Sequence, residues 1–172
     1  MTFALELEHL LGYSDWERGQ WHAWFREQGA GALAVGLGPN GDGRVNTIGE
    51  LVRHIFAAEQ RYVERIEGGP LTDPASIPAD DVEAVFAFGR RSRETLRHLL
   101  ATFPTKRWDE PQQIQMGTHT RTVTPRKLVL QAVTHEIRHW AQVATLLRVS
   151  GRKSGPRDLL VSPVFDPADA GH

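Results

Sequence analysis

Thr124-Pro125-Arg126-Lys127-Leu128-Val129-Leu130-Gln131-Ala132-Val133-Thr134-His135-Glu136-Ile137-Arg138-His139-Trp140-Ala141-Gln142 opens the last long helical stretch of the chain. Thr124 has the hydroxyl of an N-cap, and Pro125 suits the first helical position, where its missing N–H costs nothing. Leu128, Ala132, His135, His139, Val143 and Leu146 recur at steps of three and four and share one stripe, with Gly151 as the stop. Two histidines four residues apart thus interrupt an apolar, inward-facing surface. Their imidazoles can meet one metal ion, and a shared ion relieves the cost of burying two polar rings.

Outward from that helix, three more stretches carry helical periodicity. The first, from about Phe3 to Gln28, places Phe3, Leu7, Leu10, Leu11, Trp21, Trp24 and Phe25 inward, with Gly29 and Gly31 as the stop. A glycine-rich linker with the turn signal Pro39-Asn40-Gly41 follows. The second helix begins at Thr47, where Thr47-Ile48-Gly49-Glu50 has the form of a capping box. Its buried stripe is Ile48, Leu51, Ile55, Ala58, Tyr62 and Ile66, and Gly68-Gly69-Pro70 ends it. The third starts near Asp80-Asp81 and ends at Pro104. Between it and the last helix, Gln112–Met116 and Thr120–Thr124 read as a short two-stranded excursion around Gly117. Four long helices with polar outer faces predict an all-α four-helix bundle over residues 1–151, with 152–172 as a C-terminal tail. The order of the helices around the bundle stays open.

The chain has 172 residues, a formal net charge of −1, 8 His and no Cys. Near-neutrality argues against a protein that coats nucleic acid. No apolar run has the length of a membrane span, and the N-terminus lacks the positive start of a signal peptide. A soluble cytoplasmic protein acting on a small molecule is the expectation. Absence of Cys excludes thiolate metal sites and a Cys nucleophile, so any metal must be held by His, Asp, Glu or water.

A catalytic site needs a third ligand and an open position. His135-Glu136-Ile137-Arg138-His139 matches the protease pattern H-E-x-x-H, with Glu136 as candidate base. Zincins supply the third ligand downstream. Here no Glu follows Glu136, positions 142 and 145 are Gln and Thr, and Asp158 sits in a loop-like setting. That makes a metalloprotease the minor alternative. Upstream, His54 lies on the buried stripe of the second helix, between Leu51 and Ala58. A bundle that sets the second and fourth helices face to face unites His54, His135 and His139 as a three-imidazole metal site. Gln142, one turn beyond His139, is a candidate hydrogen-bond partner near it. Arg90, Arg91 and Arg93, the group Arg152, Lys153 and Arg157, and His9, His22, His98 and His172 are expected in solvent, and His119 on a surface loop.

Three segments give the chain a family likeness: Leu11-Gly12-Tyr13-Ser14-Asp15-Trp16, Thr47-Ile48-Gly49-Glu50-Leu51-Val52-Arg53-His54-Ile55 and Thr134 to Gln142. In these it resembles the DinB/YfiT-like metalloenzymes over most of residues 3–150. The family often carries His-Arg-Gly-Gln where this chain has His139-Trp140-Ala141-Gln142. The resemblance implies a four-helix bundle with a divalent ion, nickel or zinc, on His54, His135 and His139. It implies a low-molecular-weight thiol as cosubstrate in some members, with homodimers as an assembly. Thiol S-transfer is the leading expectation, since a chain without Cys must borrow its sulfur nucleophile, and metal-assisted hydrolysis the second. The alternative is a noncatalytic, stress-linked metal-binding bundle.

Overall fold

The computed structural model describes residues 5–40 and 45–166. Phe3, Gly41 and His172 lie outside the described residues. Among the described residues are five α-helices and one hairpin, besides short 3-10 turns: α1 (Leu7–Gln28), α2 (Ala30–Leu33), α3 (Ile48–Glu67), α4 (Val82–Thr102), β1 (Gln112–Met116), β2 (His119–Val123) and α5 (Pro125–Val149). The expected all-α bundle with a β excursion is what forms. Gly31, expected to help stop the first helix, instead sits inside the one-turn α2, and Gly29 (φ 69°) alone ends α1.

The caps follow local chemistry. Thr124 Oγ1 accepts from the Lys127 N–H, Asp81 from the Ala84 N–H, and Thr47 from the Glu50 N–H. The Glu50 carboxylate reaches one residue beyond the expected capping box and accepts from the Asn46 N–H at 2.6 Å. The hairpin is antiparallel with Met116 opposite His119, so β2 begins one residue earlier than the alternation suggests. Gly117 (φ 60°) makes its tight turn.

α3 packs against α4 and α5, and α1 packs against α4 and α5. The ring order is therefore α1, α4, α3, α5, with α1 diagonal to α3. This non-sequential order makes α3 and α5 neighbours, which brings His54 beside the His135/His139 pair. Close approach at the start of α3 depends on Gly49. A Cβ there would lie 1.9 Å from the Ala79 carbonyl oxygen and 3.1 Å from Leu33 Cβ. Backbone cannot swing aside as a side chain can, so Gly49→Ala is expected to cost about 1–3 kcal/mol. A lower urea midpoint with unchanged m-value would show it, and an unchanged midpoint would contradict this packing.

The core has two apolar clusters. One gathers Trp21, Phe25, Phe56, Phe86 and Trp140, with Trp21 and Trp140 stacked at 5.4 Å. The other gathers Leu11, Tyr62, Leu96, Leu99, Ile114 and Leu128. Between them in position along every long helix lies a charged residue: Arg18, Glu59, Arg93 and Glu136, all buried. Arg18 grips Glu136 with two bonds, Nε to Oε1 at 2.5 Å and Nη2 to Oε2 at 2.8 Å, and meets Glu59 at 3.0 Å. Arg93 Nη2 meets Glu136 at 2.8 Å and Glu59 at 3.0 Å, while its Nη1 reaches Asp15 at 3.0 Å. Two cations and two anions balance within this layer. Arg93, expected in solvent with Arg90 and Arg91, is only 5% exposed, because its position on α4 points at the bundle axis.

Residues 152–166 lie along α1, held by a few contacts while most of their side chains stay exposed. Trp24 Nε1 donates to the Lys153 carbonyl at 3.1 Å, and Tyr13 Oη to the Arg157 carbonyl at 2.8 Å. The Arg157 guanidinium lies 3.9 Å from the centre of the Trp21 ring, which corrects the expectation that it is simply solvated. His22 likewise leaves the expected solvated face, stacking on Phe86 and meeting Glu83 at 3.2 Å. Glu17 is buried in the same region. Burial pushes its carboxyl up to about 7; the Glu136 charge adds to this, while Trp21 and Arg157 oppose it. A folded-state value above the ordinary 4.5 means that the native state holds a proton the unfolded chain has lost. Stability therefore falls as pH rises from about 4.5 to 7, by about 1–3 kcal/mol. Glu17→Gln is expected to remove that slope and to stabilise the protein at pH 8, as measured by denaturation at several pH values.

Candidate metal centre

His54 projects from the second turn of α3, and His135 and His139 from successive turns of α5. His54 Nε2 lies 3.1 Å from His135 Nε2, and His139 Nε2 lies 3.1 Å from the same atom. One ligand nitrogen from each ring falls within 4.8 Å of the others, so the three could hold one metal ion. An imidazole nitrogen carries one lone pair or one proton, so His135 Nε2 can satisfy only one of its two close neighbours by a simple hydrogen bond. A cation between the rings serves all three. Two imidazole nitrogens on one zinc-like ion stand roughly 2.9–3.3 Å apart, given bonds near 2.0–2.1 Å and tetrahedral or octahedral angles. The observed spacing falls inside that range.

His135 is prepared as a neutral ligand. Burial first, then the neighbouring His139 and His54 rings and Arg138, push the His135 pKa down to about 3, so its lone pair is available at pH 7. Its Nδ1 is buried without a hydrogen-bond partner, so Nε2 is the atom through which this ring can gain most. His139 Nδ1 lies 2.8 Å from Gln142 Oε1. A carbonyl oxygen only accepts, so Nδ1 carries the proton and Nε2 faces the cluster as a lone pair. Gln142→Leu removes this orientation and is expected to weaken metal binding about 10- to 100-fold with little change in stability. Competition with a chromophoric chelator would measure it; wild-type affinity in the variant would show that Gln142 does not orient the ring.

The cluster opens into a cavity of about 750 Å³ between α3, α5, the 29–46 connection and the hairpin turn. Its walls include the apolar Leu37, Leu51, Ala57, Ala58 and Tyr62 and the cations Arg53, Arg61 and Arg65. Met116 and Gly117 also line it, whereas His119, paired with Met116 in the hairpin, is exposed. Pattern reading missed the arginines and Tyr62 as pocket residues. The signal was present, because Arg61 and Arg65 stand seven and eleven residues after His54 and so share its helix face.

Glu136 does not line this cavity. Its side chain is 1% exposed and is held by Arg18, Arg93 and the Trp140 indole N–H at 3.0 Å. Burial alone would raise its pKa, but the Arg18 charge and bonds, together with Arg93, outweigh it and hold the group at about 2.

An all-α bundle with three convergent imidazoles at the wall of an open pocket defines this protein's class as one able to hold a metal ion between its helices. The family model of the DinB family matches residues 1–165, and the chain belongs to that family. No curated protein matches it. No helix among the described residues is long and apolar enough to cross a membrane.

Proposed function

We propose that this protein is a divalent-metal-dependent enzyme acting on a small molecule, most consistently in thiol S-transfer and secondarily in hydrolysis. The observation that carries it is the convergence of three imidazole rings at the wall of a pocket large enough for a small ligand. His54, His135 and His139 would hold the ion, nickel and zinc both suiting an imidazole set. A bound divalent ion would supply Lewis acidity, lowering the pKa of a thiol or water so that a nucleophile exists at neutral pH. The chain's own groups orient and enclose. Gln142 fixes the His139 tautomer, and Leu51, Ala57 and Tyr62 give the pocket an apolar wall. The chain has no Cys, so a sulfur nucleophile comes with a thiol cosubstrate.

Glu136 is assigned here to the fold rather than to proton transfer. A base must reach the proton it takes, and both Glu136 oxygens are committed to guanidinium groups inside the bundle. The same placement speaks against the protease reading of residues 135–139, where that carboxylate would face the ion. Open space beside the rings also favours an enzyme over a noncatalytic metal-binding bundle. The test is turnover of an electrophile such as a chloronitrobenzene by the metal-loaded protein with a panel of thiols. Thiol-dependent rates well above those of the free metal ion are expected, and are expected to vanish in His135→Ala. Rates equal to free metal with every thiol would contradict S-transfer.

A further inference from the structure

The pocket has a charge imbalance that the three imidazoles do not explain. Arg53, Arg61 and Arg65 line it, and among the described residues Glu50 is the only carboxylate that does. Arg53 is spoken for, donating to the Ile77 carbonyl at 3.2 Å and lying 3.7 Å from Glu50. Arg65 donates to the backbone oxygens of Arg61 at 3.1 Å and Gln115 at 3.4 Å and lies 5.9 Å from the centre of the Tyr62 ring, contacts that satisfy its N–H groups without an ion pair. Arg61 has no carboxylate partner among the described residues. Both side chains are partly shielded from water, and burial together with the Arg61 charge makes the Arg65 cation less favourable. Two half-buried cations on one helix face, with no ion-pair partner among the described residues, are an arrangement that an anion relieves.

Helix geometry ties this pair to the histidines. Seven and eleven residues at 100° each return Arg61 and Arg65 to within about 20° of the His54 direction on α3. Between them on that face stands Ala58, flanked by Ala57, so small side chains leave the lane from the rings to the arginines open. The Arg61 Cα lies about 10 Å along the axis from that of His54, and helical side chains lean toward the N-terminus, back toward the imidazoles. We propose that Arg61 and Arg65 form an oxyanion-binding arm of this pocket, so that its ligand carries a carboxylate or similar group roughly 5–10 Å from the atom that meets the three imidazoles. The reacting end of that ligand rests on the proposed metal function, and the experiment below separates the two claims.

Cobalt(II)-loaded protein is titrated with 6-mercaptohexanoate and with 6-mercaptohexanol, and likewise with 3-mercaptopropionate and 3-mercaptopropanol. The thiolate-to-cobalt absorption band reports sulfur at the imidazoles. The arginine Nε–Hε resonances, followed by NMR in the same samples, report the arm. At least one carboxylate is expected to bind about tenfold more tightly than its alcohol and to shift the Arg61 and Arg65 resonances. Arg61→Gln and Arg65→Gln are expected to lose that preference while keeping wild-type metal content and alcohol affinity. Equal affinity for acid and alcohol at both lengths, with silent arginine resonances, overturns the arm and leaves the metal reading intact. Absence of the absorption band with every thiol, while the acids alone still shift the arginines, supports the arm and overturns the metal reading.

Discussion

Glu136→Gln is expected to destabilise the protein by about 3–5 kcal/mol, the cost of breaking a buried ion pair from one side. The change keeps the size of the side chain and leaves an acceptor for the Trp140 N–H. What it removes is the charge between Arg18 and Arg93, which are left sharing Glu59 and the rim carboxylate of Asp15. Neither guanidinium can escape to water, since both are buried. For a chain of this length the melting temperature should fall by roughly 10 °C. Arg18→Met with Glu136→Leu removes one cation and one anion together, and should be markedly less costly than the single change, because the surviving Arg93–Glu59 pair stays balanced. If Glu136 were instead the catalytic base, Glu136→Gln would fold as stably as the wild type and lose only activity. Thermal denaturation of the three proteins decides between these outcomes.

His135→Ala is expected to reduce divalent-metal affinity on the order of 100- to 1000-fold. The estimate follows from sharing a binding free energy of roughly 10–16 kcal/mol among about four ligands. His135 is the central ring, 3.1 Å from both of the others, so its removal leaves two imidazoles with no common neighbour. A linked effect checks the same claim without measuring affinity directly. A ligand at 100 times its dissociation constant stabilises the native state by about 2.7 kcal/mol. Chelation should therefore lower the melting temperature of the loaded wild type by several degrees and leave His135→Ala unmoved. Equal metal uptake by the variant would contradict the cluster as the binding site.

Much of this architecture can be read from local chemistry. The caps at Thr47, Asp81 and Thr124 are short-range events, set by a side-chain oxygen and an N–H three residues on. The hairpin around Gly117 is equally local. His54 was legible because it interrupts an apolar stripe on one helix while His135 and His139 interrupt another. The ring order of the helices was not legible, since the long connections 29–46 and 103–124 permit several. The charged layer was not legible for a related reason. Arg18, Glu59, Arg93 and Glu136 each stand in the inward register of their helix, and each taken singly looks like a residue bound for solvent. Only the meeting of four helices shows that they neutralise one another. The arginines of the pocket escaped notice in the same way, because a cavity belongs to no single segment.

The most direct measurement is X-ray absorption at the metal edge of the loaded wild type and of His54→Ala. Convergence of three rings predicts three imidazole nitrogens around one ion in the wild type, and two, with much weaker retention of the metal, in the variant. An unchanged imidazole count and affinity in His54→Ala would show that the ion sits elsewhere and that the cluster on α3 and α5 is not a metal centre.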